Sequence, residues 1–176
     1  VPLAKQVLAI HEKTLGSNHP DVAASLNNLA TIYYKLGDYA QAKPLYKRSL
    51  AIREKVLGPD HPDVAQSLNN LATLYRALGD YARAEPMYKR SLDIDEKIYG
   101  KNHLKVASDQ NNLAMIYREI ADYTRAESLY KRSLTIRRKI LGEDHPDVAQ
   151  SLNNLALVYD YIGNYSQAIS LNKQSL

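Results

Sequence analysis

The sequence repeats itself at a fixed interval, and that period limits the possible folds more than any other feature does. Ser67-Leu68-Asn69-Asn70-Leu71-Ala72 returns as Ser25 to Ala30 and as Ser151 to Ala156, and in altered form as Asp109 to Ala114. The first Asn of each copy stands at position 27, 69, 111 or 153, a constant spacing of 42 residues. Periods of roughly 20–50 residues belong to stacked arrays, which bury surface between neighbouring units instead of around one centre. The period predicts one array over residues 1–176. It consists of a partial unit at 1–16 holding only a second helix, whole units at 17–58, 59–100 and 101–142, and a unit at 143–176 cut short in its second helix.

Composition narrows the class. Hydrophobic residues make up 45% and charged residues 24% of the chain, too apolar for a disordered tail and too charged for a membrane protein. No apolar run approaches the roughly 20 residues that span a bilayer. The net charge of +4 raises the question of nucleic acid, but Lys and Arg are interleaved with 19 acidic residues. That pattern describes a solvated surface of mixed sign, and neither nucleic acid nor membrane is expected as a partner. With no Cys there is neither a disulfide framework nor a thiolate metal site. No secretory signal or lipidation motif is found, and a cytoplasmic location is expected.

Each unit reads as two helices. In the first, predicted from about His19 to Leu36, Val22, Leu26, Leu29, Ile32, Tyr33 and Leu36 share a face with Ala23 and Ala30 at about 100° per residue. Ala24, Asn27, Asn28, Thr31, Tyr34 and Lys35 fill the opposite arc, so one side must be covered and the other stays open. Asn18-His19-Pro20-Asp21, with counterparts at 60–63 and 144–147, marks the start. Proline is tolerated in a first turn and Asp complements the positive end of the helix. The cap falls at the His, because the residue before Pro avoids the helical region. Gly37, Gly79 and Gly163 stand where a left-handed residue ends the helix.

The second helix is predicted from Asp38-Tyr39 to about Leu57, with Ala42, Leu45, Tyr46, Ser49, Ile52, Val56 and Leu57 facing inward. The small Ala42, Ala84, Ala126 and Ala168 permit close approach of the paired helix. Pro44 and Pro86 fall inside this helix and predict a slight bend in the first two whole units, since the next two carry Ser128 and Ser170. The third unit departs most. Leu104 and Lys105 replace Pro and Asp, Ala121 replaces Gly, and Gln110 replaces an apolar-face Leu. Looser geometry is expected there, with Gln110 reaching the rim of the helix face.

Leu26-x-x-Leu29-Ala30-x-x-Tyr33, then Gly37-Asp38-Tyr39-x-x-Ala42, then Leu45-Tyr46-Lys47-Arg48-Ser49-Leu50 resembles the tetratricopeptide repeat. The 42-residue period, the phrase His-Pro-Asp-Val-Ala-x-Ser-Leu-Asn-Asn-Leu-Ala and Glu-Lys-Val-Leu-Gly-Pro-Asp at 54–60 are similar to the kinesin light chain subtype. The resemblance implies an all-α, right-handed superhelical solenoid of helix-turn-helix repeats whose first helices line a concave groove. It also implies a protein or peptide ligand, in extended form and with acidic residues. No heptad coiled coil accompanies the repeats within this sequence, so a motor role is not implied.

The groove so implied would present Asn28, Asn70, Asn112 and Asn154, with Asn27, Asn69, Asn111 and Asn153 alongside, together with Gln66, Ser108, Gln150, Thr31 and Thr73. Tyr34, Arg76, Arg118 and Asp160 occupy one further position on that arc. An amide offers donor and acceptor to a peptide backbone, and Arg adds a charge-assisted grip on carboxylates. The alternative for the Asn pairs is structural, bonding neighbouring helices to each other. His19, His61, His103 and His145 keep the 42-residue spacing, too far apart for one ion, and are read as helix starts. Arg53, Asp95 and Arg137 occupy one register of successive second helices and suggest an exposed ladder of alternating charge on the outer face. No nucleophile–base constellation, phosphate loop or metal motif is found, so catalytic residues, metal and cofactor are all expected to be none. A second possibility is self-assembly into homo-oligomers through the terminal helices.

Overall fold

The computed structural model describes residues 1–175. Among them are nine α-helices: α1 (Pro2–Leu15), α2 (Pro20–Lys35), α3 (Tyr39–Leu57), α4 (Pro62–Ala77), α5 (Tyr81–Tyr99), α6 (Leu104–Glu119), α7 (Tyr123–Leu141), α8 (Pro146–Ile162) and α9 (Tyr165–Gln174). The chain forms two compact units, residues 1–94 and 95–176, divided within α5.

Local chemistry sets the helix limits. At the start of α2, α4, α6 and α8 the capping residue is His, whose Nδ1 accepts the backbone N–H two residues on at 3.1–3.2 Å. His103 makes this bond even though Leu104 and Lys105 have replaced Pro and Asp. The start of α6 therefore keeps its cap. The second helices are capped by Asp38, Asp122 and Asn164, each side chain accepting from the N–H three residues on.

The first helices end in one hydrogen-bond pattern. Asp38 N–H donates to the Tyr33 carbonyl at 2.9 Å and Gly37 N–H to that of Tyr34 at 3.0 Å, satisfying two orphan carbonyls. This closure needs a residue at positive φ, supplied by Gly37 at 75° and Gly79 at 72°. The third unit makes the same bonds with Ala121, which is held at φ 60°. An L-residue with a Cβ pays roughly 1–2 kcal/mol there.

Within each pair the helices approach closely because the facing residues are small. Ala42, Ala84 and Ala126 have no exposed surface. Ser49, Ser91 and Ser133 lie beside them and donate to the carbonyls of Ala23, Ala65 and Ala107 at 2.7, 3.0 and 2.7 Å. In the first unit the core runs as Val22, Ala23, Leu26 and Ile52, then as Val64, Ala65, Leu68 and Ile94. Both α3 and α5 run through their internal Pro44 and Pro86.

Three sequence-based expectations need correction. Val56, assigned to the inner stripe of α3, is 46% exposed, because it lies one turn beyond the level at which Arg53 meets α4 and no helix covers it. Leu36 is 66% exposed, standing at the C-cap where α2 ends. Gln110 does not reach a rim. It is fully buried, and neither of its side-chain polar atoms has a partner among the described residues.

The buried Gln110 and the left-handed Ala121 each cost stability that a single substitution should return. Gln110→Leu, matching Leu26, Leu68 and Leu152, is expected to stabilise by roughly 1–3 kcal/mol. Ala121→Gly should gain about 0.5–1 kcal/mol, the strain relieved being partly offset by a more flexible unfolded chain. Urea unfolding of both variants beside the wild type measures the gains, and no rise in midpoint would contradict these assignments.

Candidate peptide-binding face

The first-helix residues predicted to face a ligand divide into two kinds. In the first unit Asn28 and Gln66 are exposed, while Tyr34, Asn69, Asn70, Thr73 and Arg76 are half-buried. In the second unit Asn112, Arg118 and Asn154 are half-buried, Ser108, Gln150, Asn153 and Asp160 are exposed, and Asn111 is buried.

The Asn pairs bond between helices. Asn27, 6% exposed, accepts from Asn70 Nδ2 at 2.9 Å. Asn111, also 6% exposed, accepts from Asn154 Nδ2 at 3.0 Å. Asn27 and Asn111 thus leave the open arc on which the helical period places them. Packing of α4 against α2 covers Asn27, and the second Asn of the following repeat supplies its donor. Asn70 and Asn154 are engaged on one edge and reach the surface on the other.

Next to the amides lies a layer of hydroxyls. Thr31 and Thr73 meet the hydroxyls of Tyr46 and Tyr88 at 2.9 and 2.8 Å. Burial raises both tyrosine pKa values, against the pull of these hydrogen bonds. The Arg76 guanidinium reaches the Tyr88 hydroxyl, and the Tyr34 ring packs on Tyr39 with centroids 5.5 Å apart. In the second unit Arg118 pairs with Glu119 at 3.0 Å. Burial lowers the Arg118 guanidinium pKa, but Glu119, with Tyr130 and Tyr161 nearby, holds it above the ordinary value. Each unit therefore offers one half-buried arginine framed by amides and tyrosines.

The expected exposed ladder of Arg53, Asp95 and Arg137 is not what the structure shows, for these three side chains are only 5–6% exposed. Arg53 Nη1 donates to the Asp63 carbonyl and Ser67 Oγ, both at 2.9 Å, and to Gln66 Oε1 at 3.3 Å. Arg137 Nη1 repeats this on the Asp147 carbonyl and Ser151 Oγ at 3.0 and 2.8 Å. Burial lowers both guanidinium pKa values while Asp63 and Asp147 oppose it. The register is buried because it faces the first turns of the next repeat, where Arg53 and Arg137 find carbonyl and Ser hydroxyl acceptors.

An outer ladder does exist, at positions not singled out from the sequence. Arg48 pairs with Glu12 at 2.6 Å and Arg90 with Glu54 at 2.5 Å, and in the second unit Arg132 pairs with Glu96 at 3.4 Å. Its signal was available as a constant offset of 36 residues from Glu to Arg. A second missed group is Lys131, pushed up to about 12 by its hydrogen bonds to Glu127 and Tyr159.

Among the described residues no three His, Asp or Glu side chains converge on a possible metal position. The capping histidines spend Nδ1 on the backbone.

Comparison with known proteins now places the chain. The tetratricopeptide repeat model matches it throughout, in overlapping stretches at residues 1–55, 23–97, 70–139 and 106–176. A solved structure of a putative kinesin light chain with nearly identical repeats from Podosopora anserina is 31% identical. It matches over 99% of this chain and 82% of that one, with a TM-score of 0.82. This chain is a tetratricopeptide repeat protein of the kinesin light chain type. BtubC (BKLC) of P. vanneervenii is similar at 28% identity and TM-score 0.88, over 99% of this chain and 69% of that one. The apo form of RapI shares the fold alone, at 19% identity and TM-score 0.81 over 96% of this chain and 60% of that one. No curated protein matches. The fold of this tetratricopeptide repeat protein is accordingly an all-α solenoid of helix-turn-helix repeats.

The inner and outer arginines of these repeats should behave differently on truncation. Arg53→Ala empties a buried joint and removes the guanidinium bonds to the Asp63 carbonyl and the Ser67 hydroxyl, and is expected to cost roughly 2–4 kcal/mol. Arg90→Ala removes a solvent-screened pair and should cost less than about 1 kcal/mol. Thermal unfolding of the two variants tests this ordering, and equal losses would contradict it.

Proposed function

We propose that this tetratricopeptide repeat protein binds an extended, acidic peptide segment along the open arc of its first helices. Repeats of this family serve as protein–protein interaction scaffolds, and the family is generally non-catalytic. The proposal rests on one observation, the equivalent placement of Arg76 and Arg118 as half-buried guanidinium groups beside tyrosine rings and amides. A partly desolvated guanidinium binds a carboxylate more strongly than a fully hydrated one, because less water is displaced and less rotamer freedom is lost. Asn28, Asn70, Asn112 and Asn154, with Gln66 and Thr73 between them, would pair with the peptide backbone whatever its sequence. Among the described residues no helix is long and apolar enough to cross a membrane. Lys and Arg are interleaved with acidic residues along the sequence, which favours a protein ligand over nucleic acid.

A second reading is self-association through the terminal helices. Its motive is that every residue of α1 stays at least partly exposed, with Leu3, Val7 and Ile10 at 74%, 38% and 59%. Leu157, Tyr161, Tyr165 and Ile169 of α8 and α9 are likewise open. Sedimentation over a wide concentration range separates the two readings, since a strict monomer would remove the second and leave the first.

Peptide binding itself is tested by titrating acidic, Trp-containing peptides against the wild type and the Arg76→Ala/Arg118→Ala double variant. Loss of two charge-assisted contacts should weaken binding by at least about tenfold. Equal affinity for both proteins would sink the assignment of the face.

A further inference from the structure

The joints between successive repeats use a matched pair of residues, and one joint uses a different pair. Where α3 meets α4, the buried Arg53 donates to Ser67, and where α7 meets α8, Arg137 donates to Ser151. At the joint of α5 with α6 both members change together. Asp95 occupies the register of Arg53 and Arg137, and Asp109 that of Ser67 and Ser151. Asp95 is 6% and Asp109 2% exposed, and at this matched register the two carboxyl groups lie within hydrogen-bonding reach of each other.

A hydrogen bond between two carboxyl groups requires a proton on one of them. Two carboxylates in contact inside a protein cannot both ionise without strong repulsion, so such pairs hold a proton that isolated carboxyls lose. The Arg–Ser joints have no such requirement, because a guanidinium stays charged throughout the accessible range. We propose that Asp95 and Asp109 share one proton, making the start of α6 a proton-dependent joint that is firm in mild acid and loosens as the proton leaves.

The titratable and charged groups facing Asp95 are Asp109 and Lys105 of α6 and His103 at its cap. Burial pushes the Asp95 carboxyl above the ordinary carboxylate value, while Lys105, the bond to Asp109 and His103 pull it back, and the net direction is up. A carboxyl raised on folding binds its proton more tightly in the folded state. Its contribution is therefore complete below the unfolded value of about 4 and is lost as pH rises through the folded value. This is opposite in sign to an ordinary salt-bridged Asp.

Amide hydrogen exchange of α6, expressed as protection factors, reads the joint locally. In the wild type, protection of the first turns of α6 should fall by about tenfold per pH unit between the unfolded and folded values, as expected for one proton. Asp95→Asn keeps a neutral donor to Asp109 and should make protection independent of pH in that window. The double variant Asp95→Arg/Asp109→Ser rebuilds the joint of the flanking repeats, and it should be equally flat. His103→Asn, which keeps a capping side chain, should retain the wild-type slope. Flat protection in the wild type, an unchanged slope in both Asp95 variants, or loss of the slope in His103→Asn would overturn the proposal.

Discussion

The stacking of these repeats depends on polar contacts made at the first turn of the helix that begins each one. A helix start leaves N–H groups without intrahelical partners, whereas its carbonyls already accept the N–H four residues on and can take one further donor on the second lone pair. The capping histidines satisfy the N–H side from within the repeat. The preceding repeat adds a second donor to a first-turn carbonyl, Arg53 on Asp63 and Arg137 on Asp147. A buried guanidinium is costly when alone, but with several acceptors fixed around it the geometry becomes specific to one stacking register. Apolar contacts between Val, Leu and Ala would tolerate some sliding of one helix pair over the next. The arginine joints permit little.

The third unit shows how much irregularity such a stack absorbs. Ala121 adopts the left-handed conformation that glycine takes elsewhere, Gln110 is buried where its equivalents are leucine, and Asp95 meets Asp109 in place of Arg and Ser. Yet the cap at His103, the closure at Asp122 and the Ser133 bond to Ala107 all keep the geometry of the other units. Neighbouring repeats over-determine the backbone, so a local rule can be broken without changing the fold. The broken rules lie close together, within α6 and its two ends and the end of α5. That concentration makes this stretch chemically distinct from the rest of the array.

The candidate face was legible in part. Both Asn of each pair fall on the polar arc of a single helix, and nothing in one helix distinguishes them. The distinction arises when the following first helix packs alongside, covering Asn27 and leaving Asn70 at the edge as its donor. Arg76 and Arg118 were singled out by position alone, and their half-burial beside tyrosine could not be anticipated from the period. Arg53 was misplaced because a charged side chain on a helix is solvated far more often than buried. Only the carbonyls of the next repeat explain it. The Glu–Arg ladder between second helices lay in the sequence as a 36-residue offset, which a search confined to the 42-residue register passes over.

The sequence by itself determined the helix pairs, their limits and their stacking. Capping, left-handed closure and apolar periodicity are local signals that recur at constant spacing, the Gly of the closure being absent only at Ala121. Tertiary structure alone decided which polar residues join repeats and which face outward. A helical wheel assigns direction but not neighbours, and the partner that buries Asn27, Arg53 or Asp95 lies in the next repeat, brought there only by packing.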